Sequence, residues 1–224
     1  MASAILGTLP LALGIALNPI AIVAGILILR TAHPRLNGLL FAIGWILGLL
    51  LLILLYSRLV LLQRASARAA GWDVPSVIWV GIGVLLLLAA ARAMRGRPLP
   101  GEEPATPRWL RVIDTAGPGR IFGIGIFLAT VSIRNLALLA AAAGVIGAAG
   151  LGLVEAALTA AVFIFVSSIG ILVPLLVRLF GGEGADATLA AWSTWLNQHV
   201  ATLTAGVMGV LGSYLLVRGL MGVF

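Results

Sequence analysis

"ALNPIAI", residues 16–22, interrupts an apolar run that extends from Ile5 to Leu29. Proline has no backbone N–H and its ring collides with the preceding turn, so a helix that merely crosses a bilayer has no use for Asn18-Pro19 at its centre. Asparagine is a favoured N-cap and proline a favoured first helical residue, which makes the pair the start of a second half-helix. Ending one helix and beginning another in hydrocarbon frees carbonyls on one side and N–H groups on the other. Each costs several kcal/mol unless protein, water or a ligand meets it.

The rest of the chain supplies the membrane. Its 224 residues are 62% hydrophobic and 9% charged, with a mean hydropathy of +1.18, far from the make-up of a soluble domain. Windows almost free of charge fall near 5–29, 37–57, 75–91, 121–149, 151–177 and 200–217. Each approximates the ~20 residues that an α-helix needs to cross hydrocarbon. An all-α integral membrane protein with six spans in a single domain, residues 1–224, is expected. Cysteine is absent, so thiols give neither disulfides nor a metal site.

All 14 basic residues are arginine, and the net charge is +7. No polar portion is large enough for a nucleic-acid-binding fold, which leaves orientation and anionic lipid head groups as the work of these arginines. "MASAILG" lacks the positive start of a signal peptide and the apolar run behind it is too long for one, so it is expected to remain as a span. The connections after spans one, three and five hold Arg30, Arg35, Arg92, Arg95, Arg97, Arg108, Arg111, Arg120 and Arg178. The other side holds Arg58, Arg64, Arg68 and Arg218. The positive-inside rule places the first group in the cytoplasm and both termini outside the plasma membrane.

Residues 91–120 are the long polar insert, rich in Pro and Gly, with Trp109 expected near the membrane surface. They divide the chain into repeat one (1–94), a cytoplasmic linker (95–120) and repeat two (121–224). "GVLLLLAAAR" from Gly83 matches "GVLGSYLLVR" from Gly209 in its opening and in the distance to arginine. Span four carries "ATVSIRNLALL", with Ser132, Arg134 and Asn135 at the depth where span one has Asn18-Pro19. An odd number of spans per half inverts the second half, and paired interruptions in inverted halves are the sequence pointer to a midplane transport site.

Ser132 is able to cap a half-helix as Asn18 does. Arginine at a helix centre costs about 2.5–3.5 kcal/mol on insertion scales and is by default a functional residue facing the bundle interior. Two positive half-helix ends with one guanidinium favour an anion, giving a candidate substrate site of Asn18, Pro19, Ser132, Arg134 and Asn135. The structural alternative is a proline kink, with Arg134 satisfied by carbonyls of the broken turn or by a carboxylate.

Other polar residues carry weaker signals. Glu155 lies one turn into span five, as a helix-start charge or a proton carrier. Thr159, Ser167 and Ser168 read as interhelical hydrogen-bonding residues. Gly44, Gly48, Gly206, Gly209, Gly212 and the alanines of "LLAAAAGVIGAAG" read as packing positions. His33 and His199, near span ends, lack partners at ligand spacing, so no metal site is expected. "YSRLVLLQRASARAAGW", with Arg64, Arg68 and Trp72, reads as an interfacial helix on anionic lipid.

No Walker A loop, nucleophile elbow, zinc-binding helix motif or close carboxylate pair is present, so neither an enzyme nor a cofactor is expected. Without an ATP motif, transport runs on a gradient or downhill. "LGIALNPIAIVAGILIL", "NGLLFAIGWILGLLL", "RGRP" with "PRWLRVID", and "GIGIFLATVSIRNLALLAAAAG" resemble the GAP family, the glycopeptidolipid- and sulfolipid-addressing proteins of actinobacteria, within the LysE superfamily of small exporters. Members typically carry an Asn-Pro-Lys-Asn-Leu type of motif in span four. Here Ser132-Ile133-Arg134-Asn135-Leu136 keeps the cation and the second Asn and loses the first Asn and the Pro.

The resemblance implies two inverted three-helix repeats, the first helix of each broken near the midplane, and a secondary transporter or flippase for a lipid or glycolipid. An anion site at the breaks fits an anionic head group. It fits equally an amino-acid carboxylate, the substrate class of other branches of the superfamily. A non-transporting scaffold that gathers lipid-synthesis enzymes through the linker is the third reading. Glycine-rich faces permit a homodimer without requiring one.

Overall fold

The computed structural model describes residues 1–70, 74–95, 113 and 116–223, and its regular elements are all helices. α1 (Ala2–Ala16) and α2 (Pro19–Ile28) form a pair bent by 56°. α3 (Pro34–Ala70) and α4 (Val74–Arg95) follow. α5 (Pro118–Thr130) and α6 (Ile133–Ala148) form a second pair, bent by 65°. α7 (Leu153–Phe180) turns through a short 3-10 helix, Gly182–Gly184, into α8 (Ala185–Val223). Among the described residues, Pro34–Val60, Leu153–Phe180 and Gly182–Met221 are long and apolar enough to cross a membrane, and the two bent pairs bring the number to five if each is one span. α4 covers the window expected for span three and stands outside that number.

The outer surface agrees with a bilayer. Leu51, Leu54, Leu55 and Leu62 of α3 and Leu153, Val154, Phe165 and Leu176 of α7 are exposed. Apolar surface on this scale drives association in water, whereas acyl chains cover it at no cost. The chain is a membrane protein.

Lipid provides no hydrophobic drive between helices, so contact comes from small residues that let backbones approach. A Cβ on Gly44 would strike the carbonyl oxygen of Phe122, and one on Gly125 would lie 2.9 Å from the backbone nitrogen of Trp45. These two glycines therefore set the α3–α5 seam. Gly83 of α4 and Gly212 of α8 do the same for each other, with Gly212 O 2.9 Å from a Cβ at 83 and Gly83 O 3.0 Å from one at 212. Gly206 and Gly209, expected to pack, have open space where a Cβ would go. Gly44→Ala is expected to cost about 1–3 kcal/mol through overpacking. Gly209→Ala is expected to leave stability unchanged, and a thermal melt in detergent compares the two.

The pairing of helices is reciprocal between the halves. α1 packs on α7 as α5 packs on α3; α2 lies against α8 as α6 lies against α4; α3 meets α7 and α4 meets α8. Gly48 of α3 sits 3.1 Å, as a Cβ, from Ile126 O just before the break of the second pair, and Gly170 of α7 abuts Ala16 O just before the first.

Several expectations change. The interfacial stretch from Tyr56 is helix continuous with span two as far as Ala70, because nothing in the sequence there stops the helix; Arg64, Arg68 and Trp72 as side chains lie outside the described residues. Window 200–217 is part of a helix that already begins at Ala185. At 1.5 Å per residue those 39 residues reach about 58 Å, nearly twice a hydrocarbon core. Thr159 and Ser168 donate to Glu155 O and Ile164 O, both at 2.8 Å, one turn back in α7. They are bonded within their own helix, the short reach of a hydroxyl favouring the i−4 carbonyl. Ile113 of the linker is fully buried; residues 96–112, with Arg97, Arg108, Trp109 and Arg111, lie outside the described residues.

Candidate functional site

At the first break Leu17 ends α1, its N–H donating to Leu13 O at 2.9 Å, and Asn18 takes extended angles of φ −78° and ψ 100°. The Asn18 side-chain oxygen accepts from the Ala21 N–H at 3.4 Å, while its backbone oxygen accepts from Ile22 at 3.0 Å and starts α2. Pro19 occupies the first helical position and has no N–H to satisfy. That leaves the Ile20 N–H as the free donor of the first turn.

The second break is built by the same rule. Ser132, at φ −68° and ψ 114°, accepts from the Asn135 N–H at 3.4 Å through its hydroxyl and from Leu136 N–H at 2.9 Å through its carbonyl. The N–H groups of Ile133 and Arg134 precede the first helical hydrogen bond and have no capping partner. No proline is needed for the 65° bend, because Asn135 holds it from the other side. Its Nδ2 donates to Leu128 O at 3.3 Å and Ala129 O at 3.2 Å, the carbonyls that α5 loses when it stops. Asn135 Oδ1 is buried without a hydrogen-bond partner.

Arg134 is 4% exposed. Its Nε has no partner, and Arg178–Asp186 is the ion pair among the described residues, so none of the described carboxylates neutralises Arg134. A desolvated cation that pairs with none of the described carboxylates is a costly feature of this bundle. Its neighbour Ile133 is 79% exposed, which marks where α6 turns from lipid toward the interior.

The two breaks are brought to the same level by α1 and α6. A Cβ on Gly7 would lie 3.2 Å from Val145, and one on Gly14 would lie 2.9 Å from Leu138, so these helices run antiparallel. One turn beyond Gly14 is Asn18, and one turn back from Leu138 is Arg134. Asn18, Pro19, Ser132, Arg134 and Asn135 thus belong to one layer, although Asn135 spends its amide nitrogen on two backbone carbonyls.

Glu155, taken as a helix-start charge or a proton carrier, is exposed and accepts from the Gly152 N–H at 3.3 Å, the geometry of a helix-start residue. His199 stacks on Trp195 with ring centroids 4.7 Å apart, well inside α8. His33 lines a charged cleft with Arg35, Arg178 and Glu183. That cleft escaped sequence reasoning because its walls come from two parts of the chain more than 140 positions apart.

No curated protein and no solved structure matches the chain. One family model does, that described as Sap, sulfolipid-1-addressing protein, over residues 8–221. Since that match takes in nearly all of the bundle, both breaks included, the chain belongs to the sulfolipid-1-addressing protein family.

Proposed function

We propose that this protein is a secondary transporter or flippase that assists an anionic lipid or glycolipid across the plasma membrane, with the layer of the two breaks as its anion site near the midplane. The observation that carries the reading is Arg134, buried at the start of a half-helix and without a counter-ion among the described residues. A cation held there at a cost of about 2.5–3.5 kcal/mol needs a compensating role, and an anionic substrate supplies it. The family's description as sulfolipid-1-addressing favours a lipid over an amino acid, since a sulfate ester bears a permanent negative charge.

Six spans, with α4 as the third, form two inverted repeats. The reciprocal helix pairing and the glycines Gly48 and Gly170 beside each break support this architecture. Rocking one repeat against the other is the motion such folds use. With Arg134 4% exposed, substrate reaches the guanidinium when the half-helices part. The activity is movement of a lipid rather than a chemical conversion of it.

The test is reconstitution of the full chain in liposomes with a headgroup-labelled anionic lipid or a zwitterionic lipid carrying the same chains. The anionic lipid is expected to cross at least roughly tenfold faster, a preference worth about 1.4 kcal/mol. Equal rates, or no movement by correctly folded protein, would reject the reading.

A further inference from the structure

Two clefts open along the same stretch of α7, and neither is lined by Arg134. One, of about 430 Å³, is apolar and has Ile22 of α2, Gly170 and Pro174 of α7, and Trp192 and Trp195 of α8 among its walls. The other, of about 640 Å³, is charged and has His33, Arg35, Arg178 and Glu183 among its walls. Pro174 and Arg178 are one helical turn apart, about 6 Å of rise. The charged cleft, between the start of α3 and the end of α7, therefore lies one turn along α7 from the apolar cleft, which α2, α7 and α8 enclose.

We propose that the two clefts are one docking seat for a single lipid molecule, taking its anionic head group at Arg35 and Arg178 and one acyl chain between Pro174 and the two indoles. The inference deepens the lipid-transport reading and rests on it: the seat is where substrate waits before it reaches the breaks. Three observations commit it to that occupant. Arg35 and Arg178 present guanidinium donors, which suit sulfate or phosphate, and Glu183 provides an acceptor for head-group hydroxyls. Proline and indole rings give the chain rigid apolar walls at low entropic cost, and tryptophan suits the boundary between acyl chains and head groups. The chain cleft also borders the first break. Its wall residue Gly170 abuts the Ala16 carbonyl at the end of α1, and Ile22 lies one turn into α2.

Arg178 donates to Asp186 at 2.9 Å, with the Asp186 side chain 67% exposed. An exposed pair of this kind holds the guanidinium in place while contributing little itself. The cation remains free to meet an anion on its other edge.

The experiment uses the full chain in detergent, titrated with phosphatidylglycerol or phosphatidylcholine carrying dibrominated chains, probes that quench nearby tryptophan. The signal of the seat is the quenching that disappears in W192F/W195F. It is expected to saturate at lower lipid concentration for phosphatidylglycerol than for phosphatidylcholine. R35A/R178A is expected to raise the half-saturation for phosphatidylglycerol about tenfold and to leave phosphatidylcholine unchanged. D186N, which removes the ion pair and keeps the cation, is expected to bind phosphatidylglycerol as well as the native chain. V173F, filling the chain cleft, is expected to abolish the quenching by both lipids.

Identical isotherms for the two lipids, or an isotherm for phosphatidylglycerol untouched by R35A/R178A, would overturn the seat. Arg134→Gln separates this failure from that of the transport reading. It is expected to stop transport while leaving the quenching isotherm in place. A native chain that moves lipid without saturable quenching at Trp192 and Trp195 rejects the seat alone.

Discussion

Liposomes carrying Arg134→Met move no anionic lipid, yet the purified variant melts at a higher temperature than the native chain: this pair of results is the expected outcome at the second break. Arg134 is buried with its Nε unpartnered and pairs with no carboxylate among the described residues, so the folded state carries the cost of a desolvated charge. Methionine is of comparable length and flexible enough to fill the space. Removing the charge is expected to return about 2 kcal/mol of stability, somewhat less than the insertion cost of a central arginine.

A residue kept only for structure behaves in the opposite way, losing stability when removed. Arg134→Lys adds the discriminating case: it keeps the charge, loses the planar fork, and is expected to retain part of the transport. Undiminished transport by the methionine variant would dismiss Arg134 from the site. A fall in its melting temperature would show a hidden partner for the guanidinium.

How much of this was legible in the sequence differs between the two breaks. The first could be read from residues 18 and 19 alone, because an N-cap and a proline act through their own backbone and need no neighbour. The second offered Ser132 as a cap, without the proline that marks the first. The bend is instead the sharper of the two, 65° against 56°, because Asn135 reaches across it.

No spacing rule predicts that reach, since it depends on where the end of α5 lies once the chain has bent. The same limit hid the paired clefts. His33, Arg35, Arg178 and Glu183 are neighbours only because α7 ends where α3 begins, and a charge tally sees them merely as basic loops. Periodicity likewise could not tell that α8 starts at Ala185, because Trp192, Trp195 and His199 sit on a continuous helix in a stretch with modest hydropathy and little apolar sidedness.

The reach of Asn135 makes the second strong prediction. Asn135→Ala is expected to destabilise the protein by roughly 2–6 kcal/mol, since the carbonyls of Leu128 and Ala129 each lose a donor in a place without bulk water. Asn135→Asp is expected to be at least as harmful, because a carboxylate has no N–H to offer and repels the same carbonyls. Ser132→Ala removes one capping bond at 3.4 Å and is expected to cost about 1 kcal/mol.

Denaturant or thermal unfolding in detergent ranks the three variants. A melting temperature for Asn135→Ala within a degree of the native value would mean that the bridge does not hold the break. Asn135 would then be left as a residue whose buried Oδ1 awaits a ligand. Loss of transport in Asn135→Ala carries information about the anion site only if the fold survives. Arg134→Met is the cleaner probe, because the two residues stand next to each other in sequence and their removal is expected to move stability in opposite directions.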